Sequence, residues 1–274
     1  SALTGYAAAR ALHQRRLAEG WKPLGRKIGF TNRSIWPRYG VFEPIWGTVY
    51  DRTLIRVREN RAAVTLAGIP HPRIEPEICF KLAAAPPRTS DPEQLLAAIE
   101  WVAHAVEIVQ CDDPAWKVTL ESSTAQNGLH ARQIVGTSIA VSRGMARLLP
   151  AVEVVLRKDG VEVDRGTGAN ALDSPHRLLV YLGRNKRGST CARLFSRWFS
   201  SPPSRFRRPD AAPLFRSADA LPRAPPGTHQ NPFCPAYGGP TGPARREPHP
   251  ATIPHRVQQC SAVDAVPMSG GGHR

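Results

Sequence analysis

Apolar residues recur at helical spacing near the start of the chain. Leu3, Tyr6, Ala7, Ala9, Leu12 and Leu17 alternate with Arg10, Gln14, Arg15 and Arg16, which predicts an amphipathic helix over residues 4–19, ended by Gly20. Beyond it the pattern shortens to that of strands. Residues 27–30 predict a short strand leading into a loop rich in Trp, Pro and Gly over residues 36–46. Residues 48–50, 53–55, 62–66, 75–82 and 107–110 predict further β segments. Asp91 and Pro92 supply an N-cap and a first-turn proline for a helix expected to run to about residue 105. Residues 152–156 and 161–164, separated by Lys158-Asp159-Gly160, predict a hairpin. A loop follows over residues 166–170, and a helix is expected to begin within residues 172–182.

After about Asn185 neither period continues. Residues 175–274 hold 16 of the 27 prolines and carry +11 of the formal net charge of +15, almost all of it from arginine. The chain therefore divides into a catalytic-type domain, residues 1–184, and a Pro/Arg-rich tail, residues 185–274, expected to be disordered. No run of 18 apolar residues occurs, so no membrane helix is expected, and residues 1–15 lack the apolar stretch of a signal peptide. The five cysteines, Cys79, Cys111, Cys191, Cys234 and Cys260, form no C-x-x-C pair, which argues against a disulfide framework or zinc ribbon and for the cytoplasm. A basic tail could hold nucleic acid through phosphates. It lacks interleaved aromatics for base stacking, and no helix-turn-helix or zinc pattern accompanies it, so nucleic acid is not an expected partner.

The candidate chemistry lies in the front part. In Glu75-Pro76-Glu77 the period of two puts both carboxylates on one side of a strand whose other positions, Ile74, Ile78 and Phe80, are apolar. Pro76 between them fits an edge strand or a bulge. The plainer alternative is two solvated glutamates on an outer face. Glu107 sits in the apolar run Ala103-His104-Ala105-Val106-Glu107-Ile108-Val109, where a lone carboxylate is costly to bury without a partner. Three converging carboxylates would form an all-oxygen site suited to Mg²⁺ or Mn²⁺. The alternative pairs Glu107 with Arg73 or Lys81. Lys27, between Gly25 and Gly29, can approach a ligand closely and is a candidate for proton transfer, or else an exposed strand lysine.

Gly25-Arg26-Lys27-Ile28-Gly29-Phe30-Thr31-Asn32, Pro44-Ile45-Trp46-Gly47, Glu75-Pro76-Glu77, Glu107-Ile108-Val109 and Gly166-Thr167-Gly168-Ala169-Asn170 with Ser174-Pro175 occur in that order. The ordered set resembles the hydratase/decarboxylase branch of the fumarylacetoacetate hydrolase superfamily. The resemblance implies an α+β fold, a mixed β-sandwich roll with peripheral helices. It implies Mg²⁺ or Mn²⁺ held by Glu75, Glu77 and Glu107, with Lys27 as the active-site lysine. Trp46 and Gly47 would help cover the substrate, and Asn127, Gly128 and His130 would approach it, although His130 is equally a loop histidine without an assigned partner. The implied activity is that of a lyase in aromatic-compound breakdown, in an oligomeric protein. It would add water to a short unsaturated 2-oxo acid or dienol such as 2-hydroxypenta-2,4-dienoate, or else decarboxylate a 2-oxo acid. Two departures stand out. Ser122 opens a segment that more often begins with Asp, and no Thr-Thr-Gly-Thr segment follows Pro175. The catalytic domain is therefore expected to be incomplete at its C-terminal end, with the tail out of frame or, alternatively, a genuine basic extension. A catalytically impaired relative is the further reading.

Overall fold

The computed structural model describes residues 1–58 and 60–184 and, beyond them, the backbone of four strands. A 17-residue helix, α1 (Ala2–Ala18), precedes β1 (Pro23–Gly29), the short α2 (Trp36–Tyr39), β2 (Ile45–Tyr50), β3 (Leu54–Arg56), β4 (Arg61–Ala63) and β5 (Arg73–Leu82). There follow α3 (Pro92–Leu96), β6 (Ile99–Val109), α4 (Leu120–Ala125), β7 (His130–Ala140), α5 (Met145–Ala151), β8 (Glu153–Lys158), β9 (Val161–Thr167) and α6 (Leu178–Arg184). The last four strands are β10 (Arg193–Arg197), β11 (Ser204–Arg205), β12 (Leu214–Arg216) and β13 (Val263–Asp264).

The main sheet is mixed, in the order β2-β1-β10-β5-β6-β7-β3, with β11 also paired to β5. The β1/β10 and β3/β7 pairs are parallel and the others antiparallel. Two smaller sheets, β12-β4 and β13-β8-β9, complete the architecture. Most of residues 185–274 lies outside the described residues, and the expectation of a disordered or out-of-frame tail falls there.

Period-two alternation divides the main sheet into two unlike faces. Ile28, Ile78, Phe80, Val102, Val106, Ile108 and Ile134 point to the large core, which they share with Leu95, Leu149, Leu178 and Leu179. The opposite face carries a small apolar cluster of Val49, Cys79, Trp101, Ala103, Ala105 and Val135. In the same alternation it also carries the glutamates of β5 and β6.

The sheet curls far enough for its ends to meet. The side-chain amide of Asn127, just before β7, behaves like a strand backbone toward β2. Thr48 N donates to Asn127 Oδ1 at 2.7 Å, and Asn127 Nδ2 donates to Thr48 O at 2.9 Å. Gly47 permits the approach: a Cβ there would stand 2.3 Å from the Asn127 carbonyl oxygen.

Two expectations change. The helix from Asp91 is correctly capped, with Asp91 accepting from Glu93 N, but it ends at Leu96 rather than near residue 105. Residues 99–109 form a strand hydrogen-bonded on both sides, to β5 and β7. Buried on both faces, it reads as a continuous apolar run, which periodicity alone does not separate from a buried helix. Pro76 lies on an interior strand, not an edge. β10 and β11 pair with β5 on one side, and on its other side Pro76 stands opposite Val106 of β6 in register. The helix expected to begin within residues 172–182 does so: α6 starts at Leu178, after a 3₁₀ turn at Pro175–Arg177. The β8–β9 hairpin forms as expected, with Asp159 and Gly160 both at positive φ (52° and 81°) in its turn.

His104, at a bulge in β6, is buried, and burial lowers its pKa from 6.5 to about 4. The folded protein keeps this ring neutral while the unfolded chain charges it below pH 6.5. Stability is therefore full above pH 6.5, falls as the pH drops toward 4, and stops falling on this account below that. The total loss is on the order of 3 kcal/mol. Urea unfolding from pH 7 to 4 should show this loss, reduced in His104→Leu. An identical pH slope in the two proteins would remove His104 as its source.

Candidate metal centre

Register makes the site. Glu75 of β5 stands directly opposite Glu107 of β6, which in turn stands opposite Gln133 of β7. Glu77 follows two residues along β5, on the same face. All three glutamates are buried, and one carboxylate oxygen from each lies within 4.8 Å of the others. Like charges directly opposite on neighbouring strands repel. A cation relieves that repulsion. The spacing is close to the ~4.2 Å that separates opposite ligands of Mg²⁺ at bond lengths of ~2.1 Å. Three hard oxygen donors suit Mg²⁺ or Mn²⁺.

The curl of the sheet brings in the fourth charge. Lys27 of β1 extends across to Glu107, donating from Nζ to Oε2 at 2.7 Å and to the Gly128 carbonyl at 2.8 Å. Its aliphatic stem runs between two glycines. A Cβ on Gly47 would meet Lys27 Cγ at 2.9 Å, and one on Gly128 would meet Cδ at 3.3 Å. Burial pulls the Lys27 ammonium toward its neutral form, but Glu107, Glu75 and Glu77 outweigh it and hold the pKa above the ordinary lysine value. Burial likewise pushes Glu107 up, and Lys27 with His130 holds it below the usual carboxylate range instead. Three carboxylates and one ammonium carry a formal charge of −2 among themselves.

The second oxygen of Glu107 is held by a histidine. His130 Nδ1 lies 2.6 Å from Glu107 Oε1, and its Nε2 lies 2.9 Å from Thr53 Oγ1. The alternative ion pairs do not form. Lys81 pairs with Glu100 at 2.6 Å, and the Arg73 guanidinium stacks 3.8 Å over Trp116.

The structure thus brings together Lys27, Glu75, Glu77, Glu107, Gly128 and His130. Asn127 has its amide engaged by Thr48, at the closure of the sheet. Trp46 pairs with Ile28 in register and packs against the large core, on the face away from Lys27, whereas its neighbour Gly47 borders the lysine stem. Two residues escape a reading of the sequence. Thr53 looks like an ordinary strand threonine. Gln133 is fully buried, donates from Nε2 to Val106 O at 3.1 Å, and has no hydrogen-bond partner for Oε1 among the described residues. The polar positions of β7 gave no periodic signal that would have singled it out.

Replacing Glu75, Glu77 or Glu107 by Ala should abolish stabilisation by millimolar Mg²⁺ or Mn²⁺, which binding to the folded state confers by mass action. Thermal melts with and without metal check this. A melting temperature indifferent to metal in both wild type and Glu77→Ala would count against the centre.

No protein-family model matches the chain. Over 175 residues it is 33% identical to a 4-oxalocrotonate decarboxylase of a Pseudomonas species, covering 64% of this chain and 66% of that protein. It is 31% identical over 176 residues to the 2-keto-4-pentenoate hydratase of Paraburkholderia xenovorans (strain LB400), covering 62% of each. The chain thus spans less than two thirds of the length of these two relatives. A 2-hydroxypent-2,4-dienoate hydratase of Pseudomonas putida is 30% identical over 171 residues, and there the match covers 75% of the relative. Among solved structures, the 4-oxalocrotonate decarboxylase of Pseudomonas putida G7, complexed with magnesium and adipate, superposes with a TM-score of 0.63 at 24% identity, over 74% of this chain and 78% of that one. By this shared sequence, the chain belongs to the family of these hydratases and decarboxylases, and it shares the fold of the solved decarboxylase.

Proposed function

We propose that the chain is a metal-dependent lyase that adds water to a short unsaturated 2-oxo acid or its dienol, such as 2-hydroxypenta-2,4-dienoate. The observation that carries this reading is the buried set of Glu75, Glu77 and Glu107 facing Lys27, with its formal charge of −2. The three glutamates would hold Mg²⁺ or Mn²⁺. When bound, the ion supplies Lewis-acid polarisation of the substrate's 2-oxo group.

The chain's own residues do the rest. Two of the three Lys27 hydrogens are directed to Glu107 and Gly128. The third can serve the substrate or a water held beside it. Lys27 then moves protons as the dienol becomes the conjugated ketone, after which water adds at the far end of the double bond. Gly47 and Gly128 leave the lysine stem its passage, and a side chain on either would press against it.

The 33% identity to a decarboxylase favours a second reading, in which the same site promotes loss of CO₂ from a 2-oxo acid. A panel of 2-oxo acids and dienols with and without Mg²⁺, following dienol absorbance and released CO₂ together, separates the two. Dienol loss without CO₂ supports the hydratase, and metal-dependent CO₂ release supports the decarboxylase. No turnover of any substrate supports a catalytically impaired relative. The proposal also includes a homo-oligomer in the cytoplasm, for which light scattering on the purified protein measures the assembly. Among the described residues no helix is long and apolar enough to cross a membrane.

Lys27→Ala should cut turnover at saturating metal about a hundredfold or more. Lys27→Arg keeps the charge but cannot give up its proton, so proton transfer predicts an inactive Arg variant. A purely electrostatic clamp on the substrate carboxylate predicts one with much of its activity left. Steady-state kinetics beside a metal titration check both, and full activity in both variants would remove Lys27 from the mechanism.

A further inference from the structure

We propose that His130 and Thr53 are a positioning pair for Glu107: they orient its carboxylate toward the cation and do not touch substrate. The inference rests on the metal-centre reading above and assigns the histidine a role within it.

One assignment of hydrogens satisfies the whole set of bonds. Glu107 faces the Lys27 ammonium through Oε2, and as a carboxylate it only accepts. The 2.6 Å contact between Glu107 Oε1 and His130 Nδ1 therefore needs its proton on Nδ1. The ring is buried, and in its neutral form Nε2 is then an acceptor. Thr53 has one hydroxyl hydrogen and two acceptors in reach, His130 Nε2 at 2.9 Å and the Tyr50 carbonyl oxygen at 3.1 Å, and the shorter contact is assigned the hydrogen. Thr53 Oγ1 accepts in turn from Tyr50 N at 3.1 Å, while the Tyr50 carbonyl is already served by Thr53 N at 3.0 Å. Every donor has an acceptor in one arrangement, which runs from the β2–β3 turn to Glu107.

Two features argue for positioning over proton transfer or substrate contact. The chain ends in a backbone amide, which neither gives up nor takes a proton at ordinary pH, so it leads nowhere a proton could go. Both ring nitrogens are occupied and the ring is buried, which leaves no polar atom of His130 to meet a ligand. Lys27 holds one carboxylate oxygen and His130 the other, so the plane of the Glu107 carboxylate is set from both sides. Partners of this kind beyond a metal's own ligands typically change metal affinity or activity 10- to 100-fold.

The test titrates Mn²⁺ into the 274-residue chain, reading free Mn²⁺ by electron paramagnetic resonance, alongside KM and kcat at saturating Mn²⁺. His130→Leu should weaken Mn²⁺ binding about 10- to 100-fold. His130→Asn, whose amide N–H can take the place of Nδ1–H, should recover most of it. Thr53→Val should weaken binding by a smaller factor and Thr53→Ser restore it, which keeps the test open if His130→Leu fails to fold. KM at saturating Mn²⁺ should stay near the wild-type value throughout. Wild-type Mn²⁺ affinity in both His130→Leu and Thr53→Val, or a raised KM with unchanged affinity, would overturn the pair. Wild-type protein that binds no Mn²⁺ would instead overturn the metal centre and the pair with it.

Discussion

A buried carboxylate must find an opposite charge, and this protein buries three on one face of a sheet. Moving even one such group out of water costs several kcal/mol unless it is paired and hydrogen-bonded. The fold answers in two ways. It curls the sheet until Lys27 on β1 reaches Glu107 on β6, across two intervening strands, and it sets the three carboxylates close enough to share one divalent ion. The glycines beside the lysine stem follow from that demand. Ala103 and Ala105 are small residues on the charged face, and Gly47 and Gly128 open a path for the lysine stem.

The two faces of the sheet divide the work. One supplies the large apolar core that holds β5, β6 and β7 rigid. The other presents polar groups whose positions inherit that rigidity. Sites built on strands are more precise than sites on loops, because each side chain's direction is fixed by the pleat. Here the register alone sets Glu75 beside Glu107 and Glu107 beside Gln133.

How much of this could be read in advance depends on the range of each interaction. Glu75 and Glu77 were legible because their pairing is local: two residues apart in a strand means one face. Glu107 was legible as an anomaly, a charge inside an apolar run. Lys27 stood out through its flanking glycines and the family resemblance, but its partner did not, since 80 positions separate it from Glu107 and only the curl of the sheet joins them. His130 was found without its partner for the same reason, and Thr53 not at all, because a threonine in a β segment is unremarked until something bonds to its hydroxyl. The strand β6 was taken in part for helix because its burial on both sides erased the alternation. β7, with Arg132 and Gln133 among its apolar positions, gave no clean period either.

The clasp that closes the sheet is made by an asparagine followed directly by glycine, Asn127-Gly128, a pair whose chemistry is unusually perishable. In a loose chain the glycine nitrogen can attack the asparagine side chain and expel ammonia, and water then opens the cyclic imide to an aspartate or isoaspartate. The folded protein stops this twice over: both ends of the amide are held by Thr48, and the Gly128 nitrogen donates to Ser123 O at 2.9 Å. Every excursion to the unfolded state removes that protection. A carboxylate formed there would face the Thr48 carbonyl, where an amide N–H had been, and would add a negative charge next to the residue whose carbonyl holds Lys27. The molecule would then refold with its seam unfastened, so the history of its unfolding would be written into its covalent structure at the point where the sheet meets itself.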